Sequence, residues 1–210
     1  GPCGPCRRGG DGTFACLRGF RHAARRTGAQ ARGVNVLAPW LRRETAWCVA
    51  CNRFGMRRWV RTGFSAVSRL GDGVFWYVLM LAMVAFDGWD GLRASAHMAA
   101  TGVAALTLYR VMKRWTRRPR PCASDARIHA LVRPLDEFSF PSGHTLHAVS
   151  FTGIALAYYP ALAWLLLPFC LAVAASRIVL GLHYPSDVLA AMGIGSGLVA
   201  MSLWLMPVMA

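Results

Sequence analysis

Six ionisable side chains stand at the edges of apolar runs and could do chemistry together. Lys113 and Arg120 lie in Lys113-Arg-Trp-Thr-Arg-Arg-Pro-Arg120-Pro121, and His144 closes Phe140-Pro-Ser-Gly-His144. Arg177, His183 and Asp187 lie in Ser176-Arg-Ile-Val-Leu-Gly-Leu-His-Tyr-Pro-Ser-Asp187. Lys113 is the single lysine beside 23 arginines, so its chemistry differs from that of every other base in the chain. Guanidinium forks and an ammonium match a phosphate dianion. A histidine attacks phosphorus when one ring nitrogen holds a lone pair and the other is kept as a donor. Asp187, four residues after His183, is expected to accept that second bond and to stabilise the imidazolium that forms. His144 is then expected to protonate the leaving oxygen and later to activate water.

Ser142 and Gly143 immediately precede an apolar block. Free backbone N–H groups at the start of a helix there would favour an anion, and glycine lets the backbone come close. His144-x-x-His147 and His183-x3-Asp187 also have metal-ligand spacing, but no third carboxylate or cysteine stands at a matching place, so no metal is expected. Gly193-Ile-Gly-Ser-Gly197 follows no strand and reads as close helix packing, not as a nucleotide loop.

These residues need elements to bring them together. The chain of 210 residues is 55% hydrophobic, yet Lys+Arg outnumber Asp+Glu by 24 to 9 for a formal charge of +15. A chain both that apolar and that basic points to a membrane. Apolar blocks run over Val74 to Phe86, Ala94 to Met112, Thr145 to Tyr159, Ala161 to Ala175 and Val188 to Met206, with Asp87-Gly-Trp-Asp-Gly91 read as a turn between the first two. A crossing takes about 20 apolar residues, so the blocks predict an all-α, membrane-embedded bundle of about five helices, the first of them short. A soluble bundle would leave too little polar surface to face water. If the helices alternate in direction, the ends of spans two and four and the starts of spans three and five share one membrane face. All three polar clusters then meet.

The N-terminal third reads differently. Residues 1–72 hold fourteen arginines against Asp11, Glu44 and Asp72, with no long apolar run. Residues 1–55 are expected to be a basic, disordered arm or sequence upstream of a start at Met56, with no secretory signal peptide. Cys3-Gly-Pro-Cys6 and Cys48-Val-Ala-Cys51 lack the context of a redox pair or a zinc ribbon. Residues 56–72 place Trp59, Val60, Phe64, Val67 and Leu70 on one side at helical spacing, with Arg57, Arg58, Arg61 and Arg69 on the other. An amphipathic helix in the headgroup plane is predicted there, followed by the membrane domain over 73–210.

K-x6-R-P, P-S-G-H and S-R-x5-H-x3-D, complete and in this order, resemble the three signature motifs of the type-2 phosphatidic acid phosphatase superfamily, which includes vanadium haloperoxidases and bacterial acid phosphatases. The resemblance covers about Val74 to Met206 and departs at no motif position. It implies Lys113, Arg120, Ser142, Gly143 and Arg177 as phosphate ligands, His144 as general acid, His183 as the nucleophile that becomes phosphorylated and Asp187 as its orienting partner. It also implies catalysis without a metal or other cofactor. Arg114, Arg117, Arg118, Arg127 and Arg133 are assigned only to lipid contact or diphosphate steering.

The expected substrate is a lipid phosphate whose tail stays in the bilayer. Compact bacterial members of the family resemble undecaprenyl-diphosphate phosphatases, while phosphatidate, phosphatidylglycerophosphate and lipid A phosphates stay open. A vanadate-dependent haloperoxidase and a non-catalytic binder of anionic lipid are the alternatives from other classes. No nucleic-acid partner is expected. The arginines beside the site favour a cytoplasmic face by the positive-inside rule. The resemblance implies the outer face of a plasma (inner) membrane crossed several times, and that is the orientation expected here.

Overall fold

The computed structural model describes residues 7–8, 14–15, 38–134 and 136–208. Among them the only strands are a two-residue antiparallel pair, β1 (Arg7–Arg8) with β2 (Phe14–Ala15). The rest is helical: α1 (Ala38–Gly55), α2 (Arg58–Arg69), α3 (Phe75–Thr116), the short α4 (Pro121–Ser124), α5 (Gly143–Tyr158), α6 (Ala163–Val179) and α7 (Pro185–Leu205). A π-helical turn, Leu70–Val74, joins α2 to α3, and a 3-10 turn, Pro160–Leu162, precedes α6.

α3 is a hairpin. In a straight helix Met80 and Ser95 would stand about 22 Å apart, yet the Ser95 hydroxyl donates to the Met80 carbonyl at 3.0 Å. The reversal falls at Gly88, whose φ of 52° and ψ of −113° lie outside what a residue with a Cβ readily adopts. The Asp87-Gly-Trp-Asp-Gly91 turn expected from sequence is therefore this fold-back. The two arms of α3, with α5, α6 and α7, contain the five apolar blocks.

Among the described residues, Arg58–Thr116, Pro160–Val179 and Pro185–Leu205 are long and apolar enough to cross a membrane. α5, at sixteen residues, falls short of that length. It sits in the middle instead. Its Ala148, Ile154 and Ala155 pack with Trp76, Met83, Met98, Leu166 and Val173 in the main core. Outward surfaces carry exposed Leu81, Phe86, Val103, Leu171, Leu189 and Trp204, as a lipid-facing exterior requires.

The predicted amphipathic helix over 56–72 is α2, entered at Arg58 and leaving through the π turn. The arm expected over 1–55 needs correction in part. Ala38–Gly55 is an eighteen-residue helix that buries Glu44, Cys48 and Asn52. Asn52 explains why it is held: its amide donates to the carbonyls of His129 (2.9 Å) and Val179 (3.1 Å), and its oxygen accepts from the His129 N–H (2.9 Å). Cys3 and Cys6, the first of the two Cys-x-x-Cys pairs, lie outside the described residues.

Candidate active site

The polar ends of α3, α5, α6 and α7 meet beside a cavity of about 520 Å³. Lys113, Arg120, Gly143, His144, Arg177 and His183 all line it, as the three sequence clusters led one to expect. Trp76, Met80, Ala99, Val103, Leu106 and Phe151 continue its wall away from the charges, so one end is cationic and the other apolar.

His183 sits in the tight connection between α6 and α7. Its own N–H and that of Leu182 both donate to the Arg177 carbonyl at 3.1 Å, so the connection folds back on the last turn of α6. Gly181, with φ of 75°, makes the turn possible. The imidazole is 2% exposed. Its Nδ1 lies 2.6 Å from the Ser139 carbonyl, and its Nε2 lies 3.3 Å from Arg120 Nη1. A carbonyl only accepts and a guanidinium only donates, so Nδ1 carries the proton and Nε2 the lone pair. Burial, followed by the charges of Arg120, Arg177 and Lys113, holds this histidine well below its ordinary value of 6.5.

Here the sequence reading of Asp187 is corrected. Asp187 Oδ2 stands 3.9 Å from His183 Nδ1, beyond hydrogen-bond range, and the Ser139 carbonyl takes the proton instead. The physical reason is that Asp187 begins α7 and is spent locally. Its Oδ2 accepts the Tyr184 N–H at 2.9 Å as half of a capping box, and its Oδ1 accepts from Arg118 Nη1 at 2.6 Å. Ser139 is held in turn by its N–H to the Arg118 carbonyl (2.8 Å) and its hydroxyl to the Pro119 carbonyl (3.0 Å).

Arg177, 3% exposed, donates from Nη1 to Ser68 at 2.6 Å, and its buried Nε makes no hydrogen bond. Arg120 donates to the carbonyls of Asp136 (2.9 Å) and Leu182 (2.8 Å). Asp136 bridges two cations, with Oδ1 2.5 Å from Arg120 Nη2 and Oδ2 2.5 Å from Lys113 Nζ. Burial opposes the Asp136 charge, but Arg120 and Lys113 hold the carboxyl below its ordinary range. His144 pairs through Nε2 with Asp72 Oδ1 at 2.7 Å. Ser142 stands behind the cavity wall, its hydroxyl 2.9 Å from that of Thr145, while the first N–H groups of α5 follow it at Gly143 and His144.

Asp72 and Asp136 were missed in the sequence. Asp72 gave one signal: a lone acid between two glycines at the junction of an arginine-rich helix and the first apolar block. Asp136, in Pro134-Leu-Asp-Glu137, carried none. Arg118 also departs from its assignment to lipid or diphosphate. It bonds Glu44 Oε2 (2.8 Å), Asp187 and the Ser186 hydroxyl (2.7 Å), and its guanidinium lies 4.1 Å over the Tyr184 ring. Burial works against its charge, yet Asp187 and Glu44 together hold it above its ordinary range.

Known proteins resemble this chain in sequence and in fold. The family model described as the PAP2 superfamily matches residues 90–209. The chain is 30% identical to undecaprenyl-diphosphatase BcrC of Bacillus subtilis (strain 168) over 116 residues, 55% of this chain and 60% of that protein. It is 38% identical to phosphatidylglycerophosphatase B of Escherichia coli (strain K12) over 77 residues, 32% of this chain and 29% of that one. It is 33% identical to decaprenylphosphoryl-5-phosphoribose phosphatase of Mycolicibacterium smegmatis over 138 residues, 61% and 69% of the two chains. Among solved structures, LpxE of Aquifex aeolicus superposes with a TM-score of 0.65 at 22% identity, covering 75% of this chain and 92% of that one. The transmembrane PAP2-type phosphatidylglycerolphosphate phosphatase of Bacillus subtilis gives 0.64 at 22%, covering 82% and 89%. At that identity the likeness concerns the fold.

Proposed function

The chain belongs to the PAP2 superfamily, and on that premise we propose that it is an integral membrane phosphatase acting on a lipid phosphate or diphosphate through a phosphohistidine at His183. One observation carries the reading. His183 lines the cavity with a proton-bearing Nδ1 bonded to Ser139 and a lone pair on Nε2, beside three cations that fit a phosphate.

The geometry supports the following reaction. Lys113, Arg120 and Arg177 hold the phosphate oxygens, and the N–H groups opening α5 add uncharged donors. Nε2 attacks phosphorus, the bond from phosphorus to the leaving oxygen breaks, and His144 gives that oxygen a proton. Burial disfavours the imidazolium that His144 must be to do so, and the paired Asp72 carboxylate opposes that effect. Neutral again, His144 takes a proton from water, the hydroxide attacks phosphorus and the nitrogen–phosphorus bond breaks. The Ser139 carbonyl keeps Nδ1 protonated and stabilises the charge His183 acquires while phosphorylated. Asp187 orients His183 indirectly, through the Tyr184 N–H and Arg118.

The apolar stretch of the cavity suits an acyl or prenyl chain running from the phosphate into the bilayer. Undecaprenyl diphosphate is the preferred substrate, supported by the similarity to BcrC. The similarity to phosphatidylglycerophosphatase B favours phosphatidylglycerophosphate as a second reading. The protein is placed in the plasma (inner) membrane as a multi-pass chain with the site on the outer face. α7 starts at the site and runs 21 residues away from it, so a reporter fused after Ala210 should report the cytoplasm. A periplasmic reporter would reverse the orientation. The activity is tested by phosphate release from the detergent-purified protein across undecaprenyl diphosphate, phosphatidylglycerophosphate, phosphatidate and a water-soluble ester, with EDTA present. Release that ranks one lipid first supports the reading; release from none of them removes it.

A further inference from the structure

α1 is built inside out. Residues at a spacing of four, Glu44, Cys48 and Asn52, face inward and are buried, while Trp40, Trp47 and Phe54, at a spacing of seven, are exposed. A helix that buries a glutamate and turns two tryptophans outward has an inner face chosen for something other than apolar packing. What Glu44 touches identifies that purpose. Its carboxylate is 3% exposed; Oε2 accepts from Arg118 Nη2 at 2.8 Å and Oε1 accepts from the Ser186 N–H at 2.8 Å.

Arg118 is the hub behind His183. Its carbonyl accepts the Ser139 N–H, and the carbonyl of Ser139 accepts in turn from His183 Nδ1. Its guanidinium bonds Asp187, which caps α7 by accepting the Tyr184 N–H, one residue from the nucleophile. Asp187 is fully buried and Arg118 is about three-quarters covered. In this enclosed cluster one guanidinium faces two carboxylates, and each carboxylate has a backbone N–H as a second partner. Loss of the Glu44 charge removes an ion pair and weakens two charge-assisted hydrogen bonds in a largely buried cluster, while Asp187 still pairs with Arg118.

We propose that Glu44 is a positioning residue for the reaction. From α1, outside the stretch that the family model matches, it locks Arg118 and the first turn of α7 so that the His183 ring is held for attack. It touches neither phosphate nor the reacting nitrogen, and acts through Arg118. This inference rests on the phosphohistidine reading of the site.

The test uses the full-length chain in detergent with Glu44→Gln, Arg118→Gln and the double variant. Glu44→Gln keeps the size of the side chain and removes its charge. The expected result is a kcat about tenfold lower with KM within twofold of wild type, a melting temperature that falls yet stays above the assay temperature, and a double variant no slower than Arg118→Gln alone. Non-additivity of this kind marks one shared unit, which a general loss of folded protein does not imitate. Hydrogen exchange over 183–188 supplies a readout free of turnover, with faster exchange at Ser186 expected in Glu44→Gln. A kcat within threefold of wild type, or multiplicative effects in the double variant, would overturn the proposal. If the wild type releases no phosphate, the reading of the site fails; the exchange data then still decide whether Glu44 holds this turn, and unchanged protection at Ser186 would remove the lock itself.

Discussion

Replacing Arg177 by lysine keeps the charge and removes the fork, which makes it the most informative single change. Ser68 occupies Nη1, leaving the edge made by Nε and Nη2 for two phosphate oxygens, and Nε is buried without a partner. A hydrogen bond to a charged group is worth about 1.5–3 kcal/mol. Lysine retains one such bond and loses the other, and it leaves the Ser68 hydroxyl, buried on α2, without its partner. A loss of about 2–3 kcal/mol corresponds to a fall in kcat/KM of about 30- to 150-fold. The assay is phosphate release from lipid diphosphate in detergent, with melting temperature and gel filtration as folding controls. If the fork tightens as charge develops on the oxygens, the fall lies in kcat; if it grips substrate and transition state equally, it lies in KM. A folded Arg177→Lys within threefold of wild-type kcat/KM would refute the assignment of this edge to phosphate.

Other changes follow from the same contacts. Asp136 presents a carboxylate to two of the three cations, so Asp136→Asn should tighten product inhibition by inorganic phosphate by about tenfold, a modest part of the repulsion expected between close charges; an unchanged inhibition constant would count against competition for these cations. Asp72→Asn, which removes the carboxylate paired with His144, should lower kcat by about tenfold with KM nearly unchanged, and His144→Ala by about 10²- to 10⁴-fold. Steady-state kinetics on both variants checks the order of these effects. A stability prediction comes from His183, which is held well below its ordinary 6.5 when folded. Below that value the unfolded ring binds a proton that the folded one does not, so acidification favours unfolding over this window. The melting temperature of the wild type should therefore fall as pH drops below about 6.5, and His183→Gln should flatten that fall; parallel profiles would contradict the neutral buried ring.

The sequence made the active-site cations and histidines legible because their spacing relative to apolar blocks is a matter of chain order, which alternating helices turn into proximity. Lys113, Arg120, His144, Arg177 and His183 converge on one cavity for that reason. The hairpin was legible too, from Asp87-Gly-Trp-Asp-Gly91. What escaped was decided by long-range pairing. Asp187 was matched to His183 by its spacing of four, whereas the Ser139 carbonyl arrives from 44 residues away and no side-chain pattern announces a backbone acceptor. α1 escaped because its buried face is polar and its exposed face aromatic, the reverse of the pattern from which helices are read. Arg118 looked like one more interfacial arginine, and its meetings with Glu44, 74 residues away, and Asp187, 69 away, set it apart.

The central claim is that His183 Nε2 carries the phosphoryl group, and trapping it is the most direct measurement. Wild-type protein mixed with lipid diphosphate labelled in its terminal phosphate, and quenched in alkali within one turnover, should hold acid-labile, alkali-stable label that peptide mapping locates to His183. His183→Ala should hold none, and an EDTA-treated sample should match the untreated one. Phosphate release by wild type with no label on His183 at any quench time, or undiminished turnover in His183→Ala, would contradict the account.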